Sequence, residues 1–180
     1  LGFENNKKEI DMKVRRRIFN VGLVLTIIVG LIGFVPTLSA NAQVSIIINE
    51  LDSDTPSTDI LEFIELYDGG VGSTSLDGLV VVLYNGNGDV SYSAFDLDGY
   101  STNENGYFVL GNAAVNPTPS IVFPDNTLQN GADAVGLYTG NATDFPSNTP
   151  VTTTNLIDAV VYDTNDSDDS GLLILLNSGQ

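Results

Sequence analysis

Histidine, cysteine and tryptophan are absent from this 180-residue chain, and every lysine and arginine lies before Ile18. The six cations are Lys7, Lys8, Lys13, Arg15, Arg16 and Arg17. Of the 23 carboxylates, Glu4, Glu9 and Asp11 share that stretch, which leaves 20 in Ile18 to Gln180 with no positive side chain to oppose them. A surface without cations cannot neutralise phosphates, so direct binding to DNA or RNA is disfavoured. It has no hold on anionic lipid either. Lack of imidazole excludes proton shuttling near neutral pH, and lack of thiols excludes disulfides and cysteine nucleophiles. What remains is carboxylate chemistry, chiefly cation binding, or no chemistry. The uncompensated charge also implies strong self-repulsion at low salt, relieved by high ionic strength or by divalent cations. Seawater or brine would suit it.

What is there begins with a leader. Met12 opens a basic start, Lys13 to Arg17, followed by the apolar run Val21 to Val35 and the helix breaker Pro36. Ala40 and Ala42 then place small residues at the two positions a signal peptidase reads, with cleavage expected between Ala42 and Gln43. The pattern predicts an N-terminal hydrophobic signal helix over residues 12–42, and hence a secreted, extracellular or cell-surface protein. An uncleaved membrane anchor is the other reading of the same apolar run. Residues 1–11 read as an upstream extension that is not native. The expected mature part, 43–180, has the length of one domain with a proper core.

Strand signals dominate that part. Val44 to Asn49 is β-branched and apolar; Leu61 to Tyr67 sets Leu61, Phe63, Glu65 and Tyr67 against Glu62, Ile64 and Leu66 with period two. Leu79 to Tyr84 is a short continuous apolar run, as expected of a buried strand. Asn85-Gly86-Asn87-Gly88-Asp89 predicts a hairpin turn into Val90 to Leu97. Tyr107 to Leu110, Ser120 to Phe123, Ala134 to Tyr138 and Ala159 to Tyr162 bring the total to about eight strands. Clusters of Pro, Gly, Asn and Thr separate them, and no stretch after Pro36 has capped helical periodicity. The prediction is an all-β sandwich.

Several of these segments resemble the lamin-tail domain of secreted bacterial proteins. They are Ile48-Asn49-Glu50, Glu62-Phe63-Ile64-Glu65-Leu66-Tyr67 and Leu76-Asp77-Gly78-Leu79, followed by Phe95 to Gly99, Gly106 to Gly111, Leu128 to Val135 and Leu156 to Asp163. Their order and spacing carry the resemblance across nearly all of Val44 to Leu176. The chain departs from the family pattern at Asp68, often asparagine, and at Leu79, often tryptophan. The resemblance implies an immunoglobulin-like β-sandwich acting as a non-catalytic interaction module. In bacteria such modules are often fused to endonuclease/exonuclease/phosphatase-type enzymes or carried on surface-anchored proteins. It also implies a domain truncated at its C-terminus, since family members typically continue further. The motif residues carried over are Asn49, Glu50, Glu62, Phe63, Glu65, Leu66, Leu76 and Gly78.

Two acidic groups are candidates for calcium, whose hard oxygen ligands they would supply. One is Glu50 with Asp52, Asp54 and Asp59. The alternative reading of the strand carboxylates is that Glu62 and Glu65 accept backbone N–H groups of an adjoining loop, since no ion-pair partner exists for them. The other group is Asp163, Asn165, Asp166, Asp168 and Asp169. Its Asp-x-Asn-x-Ser opening has the alternation of a calcium loop, but Asp168 stands where glycine is required and Ile174 where a glutamate is required. It is not an EF-hand, and a solvated acidic loop is the plainer reading.

The Asn-Gly turn lacks a lysine and a following helix, so it is no phosphate cradle. Serine and threonine nucleophiles lack a base, and the neighbours Asp96 and Asp98 sit in a turn. Tyr84, Tyr92, Phe95, Tyr100, Tyr107 and Phe108 read as sandwich packing before they read as a sugar platform. The Asn141 and Asn165 sequons matter only in a eukaryotic host.

The sequence therefore predicts no enzyme and no required cofactor, with calcium as the one candidate ion. The expected function is an exported bacterial interaction or targeting module, contacting a protein, a cell-surface polymer or a fused catalytic domain. Its rivals are an accessory domain of an extracellular nuclease or phosphatase with catalysis beyond Gln180, and a calcium-stabilised carbohydrate- or matrix-binding domain.

Overall fold

The computed structural model describes residues 45–163, 167 and 170–176. The signal segment, and with it Ala40, Ala42 and Gln43, lies outside the described residues, as do Asn165, Asp166, Asp168 and Asp169. Among the described residues no helix is long and apolar enough to cross a membrane.

Among the described residues eight strands form two four-stranded sheets. They are β1 (Ile47–Asp52), β2 (Phe63–Tyr67), β3 (Leu79–Asn85), β4 (Val90–Asp96), β5 (Tyr107–Gly111), β6 (Ile121–Val122), β7 (Asp133–Thr139) and β8 (Leu156–Tyr162). The first sheet has the order β1-β2-β5-β6 and the second β4-β3-β7-β8. All pairs are antiparallel except β5 with β6. The all-β sandwich expected from the strand pattern is what the chain forms.

Period two decides the interior of the first sheet. Ile64 and Leu66 of β2, Ile48 of β1, and Phe108 and Leu110 of β5 point inward. They meet Val81 and Leu83 of β3 and Val135 and Leu137 of β7 in one core between the sheets. Asp158 of β8 pins the two edges together, accepting the Ile48 N–H of β1 at 2.8 Å. One otherwise open edge donor is thereby satisfied.

The second sheet differs because its central strands are buried on both faces. Val80, Val82 and Tyr84 alternate with the inward residues of β3 and, with Ala134 and Tyr138 of β7, build a second apolar cluster outside the sheet. That cluster is closed by Phe145 and by Leu172 and Leu175 of a 3-10 turn, Leu172–Leu175. The unbroken apolar run Leu79 to Tyr84 is the mark of this double burial. Tyr138 lies back over Gly136, where even a Cβ would meet its ring. Small residues there make room for a large aromatic covering layer.

The hairpin after β3 turns at residues 86–89, as the Asn-Gly sequence predicts, but the positive φ angles fall on Gly88 (113°) and Asp89 (54°) rather than on an Asn-Gly pair. The Asn85 side chain accepts the Asn87 N–H at 2.6 Å, and Asp133 accepts that of Gly86 at 2.9 Å. Side-chain oxygens thus set this turn.

Candidate functional site

In a domain without cations, buried carboxylates must find N–H or O–H donors, and Glu62 and Asp68 do so at the two ends of β2. Glu62 precedes β2 and is fully buried. Its Oε2 accepts the Thr127 N–H at 2.9 Å and the Asn112 Nδ2 at 3.2 Å, and its Oε1 accepts the Leu128 N–H at 3.1 Å. Asn112 returns the contact, accepting the Glu62 N–H at 2.6 Å. Burial pushes the Glu62 carboxyl above the ordinary glutamate value, outweighing these donors, with the negative charge of Asp59 adding to the rise.

The segment 126–130, which carries the chain from the first sheet to the second, is tied at every residue. Asn126 N–H donates to the Asp59 carbonyl, and Asn130 Nδ2 donates to Asp59 Oδ2 at 2.9 Å. Gln129 N–H donates to the Tyr92 hydroxyl at 3.3 Å, while the Tyr162 hydroxyl donates to the Gln129 carbonyl at 3.0 Å. Burial drives both tyrosine hydroxyls well above their usual range. These partners lie 33 to 71 residues away in sequence. The local pattern around Glu62 gives no sign of Asn112, Tyr92 or Tyr162.

At the opposite end, Asp68 follows β2. It accepts the N–H groups of Gly70, Val71 and Gly72 and the hydroxyls of Thr74 and Thr102, at 2.7 to 3.0 Å. Burial would raise its carboxyl, but the Thr74 and Thr102 hydroxyls and the backbone donors outweigh it and hold the group below the ordinary aspartate value. Gly106, at φ +92°, gives the carboxylate its room, since a Cβ there would collide with it. Beside this cage Asp77 accepts the Gly99 N–H and Asp98 the Gly78 N–H, each at 2.7 Å, so two Asp-Gly turns staple one another. Among the motif residues Leu76 is fully buried in the core, and Gly78 takes the positive φ (76°) its turn requires.

The proposed calcium ligands are placed as follows. Glu50 is exposed on the outer face of β1, opposite Glu65 of β2. Asp52 ends β1 and accepts the Asp54 N–H at 3.3 Å; Asp54 is exposed. Asp59 is buried and turned to Thr55 and Asn130, and the Asn130 donor, then the Thr55 N–H, hold it below the ordinary value. Among the described residues no group of three or more carboxylates converges on a metal position. Of the second set, only Asp163 is described; it is exposed at the end of β8.

The outer face of the first sheet is different in kind. Three rows run across it, read from the strand register: Ile47, Tyr67 and Tyr107; Glu50, Glu65 and Val109; Asp52, Phe63 and Gly111. Val109 is buried and Gly111 lies against Pro119, so the accessible part of this face is the β1–β2 side, where Phe63, Glu65 and Tyr67 are half-buried and Glu50 is exposed. The Tyr67 and Tyr107 rings stack at 4.7 Å between centroids. Asn49, beside the β1 bulge, donates to Glu65 Oε1 at 2.7 Å. So Glu62 clamps a backbone loop, whereas Glu65, among the described residues, takes only the Asn49 amide and stands half-buried on the outer face. Ile47 and Val122 are 40% and 55% exposed here. The outer face of the second sheet, by contrast, lies under Phe145, Leu172 and Leu175.

No protein-family model matches this chain, and no curated protein is significantly similar to it.

Proposed function

We propose that the chain is a non-catalytic interaction module of an exported bacterial protein, an immunoglobulin-like sandwich of lamin-tail type. The observation that supports this most directly is the asymmetry between the two outer faces. One is sealed by its own apolar layer, while the other presents stacked tyrosines, phenylalanine and aliphatic side chains among carboxylates. A sheet face that stays accessible over β1 and β2 and mixes aromatic with acidic side chains is what a binding surface needs. The buried carboxylates are engaged in holding loops, so they are not poised for acid–base work. The leader and the motif segments supply the exported, lamin-tail part of the reading.

The test uses the absence of cysteine. A single Val122→Cys substitution, carrying a photoreactive probe, reports on what meets the open face in the producing cell. A Ser147→Cys control reports from the sealed side. Covalent adducts from the first position and none from the second are expected. Equal labelling from both, or hydrolysis of a substrate by the purified chain alone, would refute the proposal.

A further inference from the structure

We propose that the open face of the first sheet docks an arginine-rich extended segment of a partner protein. This rests on the interaction-module reading above and names the chemistry of the partner. Glu50 and Glu65 stand directly opposite each other across β1 and β2. Like charges at that spacing repel and destabilise a sheet. Among the described residues the only side-chain donor to either of them is the Asn49 amide on Glu65, and Ile18 to Gln180 contain no cation to supply more. The carboxylate row lies between an aromatic row, with Tyr67 and Tyr107, and the Phe63 row, each two residues away along β2. Two residues of strand span about 7 Å. A guanidinium fits that spacing: its plane stacks on a tyrosine ring while its fork reaches a carboxylate. Its aliphatic stem would cover Ile47 or Phe63. Lysine offers the charge without the fork or the stack.

The probe is a synthetic peptide alternating arginine and serine, titrated by calorimetry into the full chain at physiological salt. The Glu50→Gln/Glu65→Gln double variant is expected to weaken binding at least ~10-fold. A Glu104→Gln/Asp125→Asn double variant, with the same charge change at exposed positions off this face, is expected to change it less than about twofold. The face variant is also expected to melt higher than the parent, because it removes the like-charge pair, so weaker binding will not reflect unfolding. Equal losses in the two double variants would reduce the attraction to diffuse charge and overturn the proposal. So would binding of a neutral polysaccharide in place of the peptide. If the peptide fails to bind while adducts still form from Val122→Cys, the arginine assignment falls and the interaction module stands. If both fail, the module reading falls too.

Discussion

Glu62 and Asp68 flank β2 at its two ends and show how a domain without cations manages buried carboxylates. Each is surrounded by N–H or hydroxyl donors, yet their acidities move in opposite directions. Asp68 has five donors, enough to overcome burial; Glu62 has three, and burial prevails. For Asp68, Asp59 and Asp77, all lowered, the contribution to stability is present above the ordinary aspartate value of 3.8 and is lost as pH falls through their folded values. For Glu62, raised, the sign reverses: its contribution is full below 4.5 and is lost as pH rises through its folded value. Replacing it with glutamine keeps the shape but sets an NH2 group against N–H donors, at a cost of about 1–3 kcal/mol. The difference in urea midpoint between the parent and Glu62→Gln should therefore widen as pH is lowered from neutrality toward 4.5. A difference that stays flat would show that burial does not govern this carboxyl. The sequence makes part of this legible: the absence of lysine and arginine forces strand carboxylates to seek backbone donors. It does not say which donors, because those of Glu62 stand 50 to 66 residues away.

At the scale of elements, the strands were legible because period-two burial and turn residues are local properties. Leu61 to Tyr67 shows its inward face directly, and β2 buries Ile64 and Leu66 as that alternation requires. The 3-10 turn Leu172–Leu175 was not legible. It is one short turn, with too few residues to show a helical period, and its apolar residues look alike in sequence. Only packing separates them: Leu172 and Leu175 are buried against the second sheet, while Leu173 and Ile174 are 45% and 53% exposed. The layer they complete converts an ordinary two-sided sheet into one with a covered back. Leu172→Ala should cost about 2–5 kcal/mol by transfer and cavity formation. Leu173→Ala should cost far less, since the side chain it removes is half solvated. Urea denaturation of the two variants checks this. If both cost the same, the layer is not packed as described. Hydrogen exchange of the β7 and β8 amides should also rise in Leu172→Ala before those of β2 and β5, because the layer covers only the second sheet.

For the whole molecule the dominant fact is 20 carboxylates and no cation from Ile18 to Gln180. Short-range donors satisfy individual groups, as Asp68 and Glu62 show, but they add no positive charge, so long-range repulsion survives. The fold also gathers acid at one end. Asp59, Glu62 and Asp133 act on the same pair of tyrosines or on one another, and Asp163 follows Tyr162, the register partner of Asp133. Screening falls from a range of about 30 Å at 0.01 M salt to about 3 Å at 1 M. The urea midpoint of the full chain should therefore climb with sodium chloride across that range. A midpoint that does not move would mean that repulsion contributes little to the folded state. Calcium makes the sharper comparison. At matched ionic strength, a further rise would require a site that holds the ion, and the run containing Asp163, Asn165, Asp166, Asp168 and Asp169 has the oxygen ligands for one. No rise beyond sodium chloride would leave that run a solvated loop. The charge would then serve solubility and the capture of basic partners, not metal-dependent folding.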